Sequence, residues 1–314
     1  MKSFLFLSVF CLLSMVGISQ NKALSMKELL SDYEYKTHYV TLDSLEVAYV
    51  KEGNHEQTLL FVHGLSSNAD AWSKNIQELK DKYTCIALDL PGFGKSSIVE
   101  TQYTSTFFAD VVHQFILELK LKNVILVGHS MGGQASVKLA VNHPEAISKL
   151  VLVAPAGIER FSEAEANLMK GAMTEAVVKG TTDAQIERNY ALNFFQQPKE
   201  VDKMIADRKR IRDAADFDMH CKAIVSSVWG MLDDPVFEDL KRIEQPVLVI
   251  FGNNDKLIPN GYLHPQLTTQ AVAQTAQEEL KQAEVKMINE SGHFVQFEKP
   301  MEVNAYISQL VDTP

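Results

Sequence analysis

Residues 124–133 of this 314-residue chain read VILVGHSMGG. The opening run Val124–Val127 is short and continuously apolar, which is typical of a strand buried on both faces. The pattern Gly-X-Ser-X-Gly follows it directly and leads into a helical pattern. Gly128 and Gly132 leave room for a turn so sharp that larger side chains would collide. We therefore predict a strand, a tight turn and a helix, with Ser130 raised at the positive end of that helix.

Short apolar runs of this kind recur along the chain and predict further strands. They are Leu59–Val62, Cys85–Leu90, Leu150–Val153, Val247–Phe251 and Val285–Ile288. A rough two-residue alternation over 39–50, around Asp43-Ser44, predicts a hairpin before them. Apolar residues recur at helical spacing between the runs, as in 107–119 and after Pro300. Strands that alternate with helices indicate an α/β fold, with a mostly parallel sheet and helices on both of its faces.

One segment departs from this alternation. Residues 157–240 contain charged helical stretches, methionines and aromatic residues but no buried-strand pattern. We interpret 157–240 as a helical cap, or lid, inserted into a core made of 20–156 and 241–314. The alternative is that these helices form an ordinary second packing layer.

The N-terminus differs from the rest of the chain. Lys2 precedes an apolar run, Phe4–Ile18, which polar residues follow. The run is shorter than the roughly 20 residues that span a bilayer comfortably, and its flanks are typical of a secretory signal peptide. We predict that residues 1–19 are removed and that the protein is exported, to the periplasm or the medium, with no stable membrane span. The alternative is an uncleaved segment that anchors the protein to the membrane.

Charge and composition limit the possible partners. The formal net charge is −10 and no long basic run is present, so we expect no nucleic-acid binding, which depends on clustered Lys and Arg. With 46% hydrophobic residues, a chain of this length can bury a large core without disulfides or metals. The expected partner is a small molecule.

A serine nucleophile needs a base to accept its proton at neutral pH. His293 lies just beyond the last strand pattern and after Ser130 in the chain, the order expected for this type of turn. The other histidines are less favoured: His113 in an amphipathic helix, His143 before a helix-ending proline, His129 inside the turn and His264 in a loop. We predict His293 as the base.

A histidine base needs a carboxylate that fixes its tautomer and stabilises the imidazolium. Asp255 ends the polar turn after Val247–Phe251, at the carboxyl end of a predicted strand. Asp89 is the rival, but it precedes the serine in the chain and fits a turn-forming role. We therefore predict a Ser130, His293 and Asp255 triad.

Acyl transfer also needs donors for an oxyanion, and each contributes about 10²–10³-fold in rate. One predicted donor is the backbone N–H of Met131, the residue after the serine. The other is the N–H of Leu65, in the loop that follows Leu59–Val62 and begins His63-Gly64, where glycine permits close backbone approach. The alternative for this loop is a plain glycine turn.

Five segments together resemble the signature blocks of the α/β-hydrolase family, most closely its lid-bearing esterase, non-haem haloperoxidase-like and carbon–carbon-bond hydrolase branch. They are residues 61–64, 89–96, 128–133, 252–255 and 291–294. The resemblance spans about 40–312. It implies an eight-stranded sheet with an antiparallel second strand, a cap after the sixth strand, and a serine hydrolase without cofactor or metal. Serine at position 130 argues against the epoxide and haloalkane hydrolases of this fold, which use aspartate there.

The reaction implied is hydrolysis of a small carboxylic ester-like substrate through an acyl-enzyme on Ser130. Two alternatives stay open: carbon–carbon bond cleavage of a diketone-like substrate by the same triad, and a catalytically silent binding protein. Hydrophobic residues of the cap either line the substrate pocket or form only the core of the cap; they are Phe161, Met169, Phe194, Phe195 and Trp229. The stretch between Asp255 and His293, longer than is usual in the family, either narrows the site or lengthens a surface helix.

Overall fold

The computed structural model describes residues 23–313, which form an eight-stranded sheet flanked by helices. The strands are β1 (Thr37–Leu42), β2 (Leu45–Glu52), β3 (Thr58–Val62), β4 (Thr84–Leu88), β5 (Val124–His129), β6 (Lys149–Val153), β7 (Val247–Gly252) and β8 (Ala283–Ile288). The helices are α1 (Met26–Leu29), α2 (Ser73–Leu79), α3 (Ser105–Glu118), α4 (Met131–Asn142), α5 (Glu163–Ala172), α6 (Glu175–Lys179), α7 (Asp183–Ala191), α8 (Val201–Arg210), α9 (Phe217–Asp233), α10 (Thr269–Glu279), α11 (Val295–Glu298) and α12 (Pro300–Asp312).

The order of strands across the sheet is β1-β2-β4-β3-β5-β6-β7-β8. Strand β2 runs antiparallel to both of its neighbours, and the pairs from β3 onwards are parallel. The predicted hairpin is the β1–β2 pair, in which Leu42 faces Leu45 across the turn. The predicted α/β-hydrolase fold and mostly parallel sheet are therefore confirmed.

The central strands are apolar throughout because both faces of the sheet are covered. In β5, Leu126 packs into the core on one face, whereas Ile125 and Val127 pack into the core on the other, as the two-residue alternation of a strand requires. Helices α3 and α4 contribute to the first core, and α2 and α12 to the second. Full burial of each such side chain contributes about 1.5–3 kcal/mol.

Residues 154–246, here called the β6–β7 insertion, contain helices α5–α9 and no strand. Two of these helices begin at capping boxes. The Ser162 hydroxyl and backbone N–H both donate to Glu165 at the start of α5. Thr182 pairs with Gln185 in the same way at the start of α7. Each box satisfies N–H groups that the first helical turn leaves without intrahelical partners.

The N-terminal part of the described chain is tied to this insertion. The N–H of Met26 donates to Asp216 at 2.7 Å, and the Ser31 hydroxyl donates to Asp207 at 2.6 Å. The predicted signal peptide, 1–19, lies outside the described residues. Between residues 23 and 313, no helix has both the length and the apolar character needed to cross a membrane.

Candidate active site

The turn at Ser130 joins the carboxyl end of β5 to the start of α4. Ser130 has φ 52° and ψ −118°, a backbone conformation that costs an L-residue on the order of 1–3 kcal/mol. A Cβ on Gly128 would lie 2.4 Å from the Oγ of Ser136, and one on Gly132 would lie 2.5 Å from the carbonyl oxygen of His63. The tight turn therefore requires glycine at both positions.

Side chains from three loops form one hydrogen-bonded chain. The Oγ of Ser130 lies 3.0 Å from Nε2 of His293, and Nδ1 of His293 lies 2.8 Å from Oδ2 of Asp255. The other carboxylate oxygen accepts the N–H groups of Leu257 and Ile258, at 2.8 and 3.0 Å. One oxygen thus orders the loop while the other holds the imidazole with Nδ1 protonated. This tautomer leaves Nε2 as an acceptor for the serine proton.

Contacts with the β6–β7 insertion hold the loop that carries this imidazole. The carboxylate of Glu298 accepts the N–H groups of Gly292 and Gln196, at 2.8 and 2.6 Å. The N–H of Phe294 donates to the carbonyl of Asn193 at 2.9 Å. The insertion therefore helps to position the imidazole. Glu298 could not be predicted from the sequence, because a carboxylate that binds backbone groups of a distant segment has no local signature.

His63 joins the loop after β3 to the loop after β4. Its Nε2 accepts the N–H of Leu90 at 3.0 Å, so Nδ1 carries the proton and donates to the carbonyl of Gly64 at 2.7 Å. Burial lowers the pKa of His63 to about 4, so this ring is neutral at pH 7. His63 therefore has a structural role, which is to hold these two loops together.

His129 packs beside the imidazole of His293, with ring centroids 4.9 Å apart. Its Nε2–H donates to the backbone carbonyl of His293 at 3.0 Å. Burial, together with the neighbouring imidazole, lowers the pKa of His129 well below its ordinary value. His129 is therefore a neutral packing residue.

Asp89 lies in a buried network of its own. Its carboxylate accepts the Tyr33 hydroxyl and the N–H groups of Ala69 and Lys95, each at 2.7 Å. Three donors satisfy the carboxylate, and none of them is an imidazole. Of the two candidate acids, the structure brings only Asp255 to His293.

The two predicted oxyanion donors lie close to Ser130. Met131 is the first residue of α4, where a backbone N–H has no partner within its own helix. A Cβ on Gly64 would lie 3.0 Å from the Cβ of Ser130, so this loop passes directly against the serine. Leu65, the next residue, lines the same cavity as Ser130. Their role as oxyanion donors stays a prediction.

A cavity of about 880 Å³ opens beside Ser130 and His293. Its walls are mainly aliphatic, methionine and aromatic side chains of the insertion, and its volume lies within the range of small-molecule sites. Three of the predicted lining residues border it: Phe161, Met169 and Phe194. Phe195 and Trp229 do not, and they are 47% and 44% exposed. The sequence pattern did not distinguish the residues that border the cavity from those that meet solvent, in the helices or in the loops between them.

One arginine on the cavity wall has a side-chain nitrogen that no group in the described part of the chain pairs with. Arg208, on α8, lines the cavity, and its Nη1 is buried with no hydrogen-bond partner among residues 23–313. The guanidinium lies 5.5 Å from the ring centroid of Phe217. Burial lowers the pKa of Arg208, yet an arginine stays charged at neutral pH. The N–H groups of this nitrogen are therefore available to donate to an acceptor in the cavity, and a guanidinium donates most strongly to an anionic group.

The long segment between the acid and the imidazole folds onto the insertion beside the cavity. Nδ1 of His264 lies 2.5 Å from a carboxylate oxygen of Glu159, and Nε2 lies 3.3 Å from Glu165. The ring of Phe161 stacks on His264, with centroids 5.3 Å apart. Glu159 and Phe161 both line the cavity, and the segment itself adds Leu257, Ile258 and Asn260 to the lining before it continues into α10. We call His264, Glu159, Glu165 and Phe161 the His264 clasp.

We expect the clasp to stabilise the fold most strongly at low pH. The two carboxylates, Glu159 first, raise the pKa of His264 above its ordinary 6.5. Protonation of His264 therefore stabilises the folded state fully below pH 6.5, and this contribution is lost as the pH rises through the raised pKa. We expect His264→Gln to unfold about 2 °C below wild type at about pH 5.5, and the difference to shrink at about pH 8.5.

Thermal unfolding at the two pH values measures this effect. His55→Gln, at an exposed histidine outside the clasp, is the matched control and should unfold like wild type at both. An equal loss of Tm at both pH values would show that the clasp acts by packing and not by charge.

The strand order and the positions of the candidate residues define the class of protein. The serine follows β5, the acid follows β7 and the imidazole follows β8, all at the carboxyl edge of one mostly parallel sheet. The chain belongs to the α/β-hydrolase fold family, whose model matches residues 57–300. The resemblance of the five sequence segments to this family is thereby confirmed.

Several similar proteins are named as hydrolases. An uncharacterised hydrolase of Bacillus subtilis is 29% identical over 278 residues, which cover 86% of this chain and 96% of the relative. A 2-hydroxy-6-oxo-6-(2'-aminophenyl)hexa-2,4-dienoic acid hydrolase of Metapseudomonas resinovorans is 27% identical over 257 residues, covering 76% of this chain and 81% of the relative. A solved structure of a probable hydrolytic enzyme of Pseudomonas aeruginosa matches with a TM-score of 0.81 and 23% identity, covering 93% of this chain and 99% of that one. The last similarity concerns the fold alone.

Proposed function

We propose that this protein is a serine hydrolase that cleaves a carboxylic ester of a small, largely apolar molecule. The observation that carries the proposal is the Ser130–His293–Asp255 hydrogen-bonded chain beside a mainly apolar cavity. A nucleophile, a base and an orienting acid in this order are the groups that acyl transfer requires. Membership of a hydrolase family supports the same reaction class.

In the proposed first half-reaction, Oγ of Ser130 attacks the ester carbonyl carbon while Nε2 of His293 accepts the hydroxyl proton. The carbonyl π electrons move to the oxygen, where the N–H groups of Met131 and Leu65 stabilise the oxyanion. Asp255 stabilises the imidazolium. The carbonyl then re-forms as the ester C–O bond breaks, and the imidazolium gives its proton to the departing alcohol. The acyl group remains on the serine.

In the second half-reaction, a water molecule takes the place of the alcohol. Nε2 of His293 accepts a proton from the water as its oxygen attacks the acyl carbon. The tetrahedral intermediate collapses, the bond to Oγ of Ser130 breaks, and the imidazolium returns the proton to the serine. The sum is ester plus water giving acid plus alcohol, with the enzyme regenerated and no cofactor consumed.

Covalent labelling by a fluorophosphonate tests this proposal directly. The probe loses fluoride to an activated serine, so we expect one probe per protein, found by mass spectrometry on the peptide that contains Ser130. Ser130→Ala is the matched variant and should remain unlabelled. Absence of labelling in the wild type would favour the catalytically silent binding protein, and equal labelling of the variant would place the nucleophile elsewhere.

A second candidate function is hydrolysis of a carbon–carbon bond in a ketone substrate that also carries a carboxylate. Arg208 in the cavity supports it, because its Nη1 has no hydrogen-bond partner between residues 23 and 313 and a guanidinium binds a carboxylate bidentately. The relative from Metapseudomonas resinovorans, named for an oxo-substituted dienoic acid, supports it too. The same serine and imidazole would serve either reaction.

Parallel assays with a 2-hydroxy-6-oxo-dienoate and with neutral 4-nitrophenyl esters separate the two candidates. Under the second candidate the dienoate is turned over, and Arg208→Gln lowers kcat/KM for it by about 10-fold to 100-fold while the neutral esters are little affected. Turnover of the esters alone, unchanged by Arg208→Gln, would leave ester hydrolysis as the function.

A further inference from the structure

A second cluster of ligand-type side chains lies where α3 meets the end of α4. His113 is on α3, His143 caps the C-terminus of α4, and Glu145 follows in a short 3₁₀ turn. One ligand atom from each of these residues lies within 4.8 Å of the other two. Asp110, one helical turn before His113, has a carboxylate oxygen 3.7 Å from Nε2 of His143. None of the four lines the cavity, and the proposed reaction uses none of them.

The two imidazoles of the cluster lie directly against each other. Their rings stack with centroids 3.7 Å apart and an interplanar angle of 16°. In a tetrahedral site with Zn–N bonds of about 2.0–2.1 Å, two nitrogen ligands lie about 3.3–3.4 Å apart. One nitrogen of His113 lies within 4.8 Å of one nitrogen of His143, and binding of an ion requires the two stacked rings to turn so that both lone pairs point at it. Glu145 is exposed, so its carboxylate has room to move towards them.

The charges in the cluster also suit a cation. Asp110 and Glu145 add two carboxylates to the same cluster, which offset the charge of a divalent ion.

We propose that Asp110, His113, His143 and Glu145 form a surface binding site for a divalent transition-metal ion, with zinc as the best match. Two imidazoles and one carboxylate are a ligand set that Zn²⁺ accepts, and Asp110 or a water molecule completes four-coordination. The ligands come from two helices, so a bound ion ties α3 to the end of α4. The site is distinct from the one at which hydrolysis is proposed.

The proposed metal site lies far from Ser130, so a bound ion would stabilise the fold and take no part in the reaction. Helix α4 begins directly after Ser130 and ends at Asn142, with His143 as its C-terminal cap. The 13 positions from Ser130 to His143, at 1.5 Å per residue, correspond to about 20 Å. An ion at the far end of α4 does not reach the serine. Binding to the folded state alone raises Tm with the concentration of the ion.

Titration calorimetry of the chelator-treated full chain with zinc chloride tests this site. We expect one saturable site with a Kd below about 100 μM, and a Tm that rises with added zinc. His113→Ala and Glu145→Gln should each weaken binding by about tenfold or more, and His55→Ala should bind like wild type. Co²⁺ provides a second measurement, since its visible absorption in a nitrogen–oxygen site should disappear in His143→Ala.

Three results would overturn the proposal: no saturable zinc binding to the wild type, wild-type affinity in both His113→Ala and Glu145→Gln, or a Co²⁺ spectrum unchanged by His143→Ala. Circular dichroism of each variant without metal shows whether it is folded. Because Glu145 is exposed, Glu145→Gln gives a folded test even if a histidine variant is destabilised. Hydrolysis by the metal-free protein is expected to be the same in Glu145→Gln and wild type, so failure of this site does not affect the proposed reaction.

Discussion

Replacement of Ser130 by alanine is expected to lower kcat/KM for short 4-nitrophenyl esters by about 10⁴-fold to 10⁶-fold. The hydroxyl is the group that forms the acyl-enzyme, so its removal eliminates the covalent route. Alanine retains the Cβ, and the backbone strain at φ 52° is therefore unchanged. The Tm of Ser130→Ala should stay close to that of wild type. The small remaining rate would come from binding and from the oxyanion donors.

Steady-state hydrolysis measures this loss, with Ser148→Ala as the matched control. Ser148 donates its hydroxyl to the carbonyl of Val124 at 3.0 Å, at the end of β5 opposite to Ser130. Ser148→Ala should therefore hydrolyse the esters at nearly the wild-type rate. Undiminished turnover in Ser130→Ala would remove Ser130 from the mechanism.

The parts of the fold that sequence analysis predicted are encoded within a few neighbouring residues. The run Val124–Val127 is apolar at every position because both faces of β5 are covered, and this pattern is visible without a structure. A Cβ at either glycine flanking Ser130 would lie less than 3 Å from a neighbouring atom, so the turn requires glycine at both positions. This requirement is visible in the sequence as the pattern Gly-X-Ser-X-Gly. The order of serine, acid and imidazole in the chain then indicated which distant residues meet at the carboxyl edge of the sheet.

The parts that were missed depend on how separate segments pack together. Arg208 lies in a charged helical stretch, and nothing in the sequence there distinguishes it, as a cavity-lining residue, from Arg210 and Arg212. The same holds for His264 and Glu159, which are far apart in the chain and meet only because the loop after β7 folds over the insertion. Phe161 and Phe195 are alike in sequence, yet only Phe161 lines the cavity. The packing of separate loops and helices against one another decides which of these residues meet or line the cavity, and local sequence patterns do not encode it.

The same packing links the cavity to the reacting groups. Phe294 directly follows His293, and its N–H donates to the carbonyl of Asn193 in the insertion. Glu298 binds both this loop and the backbone of Gln196 in the insertion. A change in the insertion that disturbs these bonds is therefore expected to alter kcat as well as substrate affinity, since it moves the base as well as the cavity wall.

A second large effect is expected at Asp255, where substitution by asparagine should lower kcat by about 10⁴-fold with little change in KM. In the native site, Oδ2 accepts the Nδ1 proton of His293 at 2.8 Å, and Oδ1 accepts the N–H groups of Leu257 and Ile258. These two donors require an oxygen, so the asparagine amide must point its NH₂ group at Nδ1. The ring then adopts the opposite tautomer, with a proton on Nε2 facing Ser130. A protonated Nε2 cannot accept the serine proton, although every atom is close to its native position.

Kinetics with the same esters and thermal unfolding together test this explanation. Asp43→Asn is the matched control, because Asp43 has φ 51° in the β1–β2 turn, a conformation that asparagine tolerates, and it lies at an edge of the sheet far from the imidazole. Oδ1 of asparagine still accepts both N–H groups, so the loop should stay ordered and Tm should be unchanged. A loss of kcat without a loss of Tm would therefore show that the imidazole tautomer, and not the order of the loop, causes the loss of activity. If instead Asp255→Asn kept more than about a tenth of the wild-type kcat, the native carboxylate of Asp255 would act only by ordering its loop. The orientation of the imidazole would then have to come from its packing against His129.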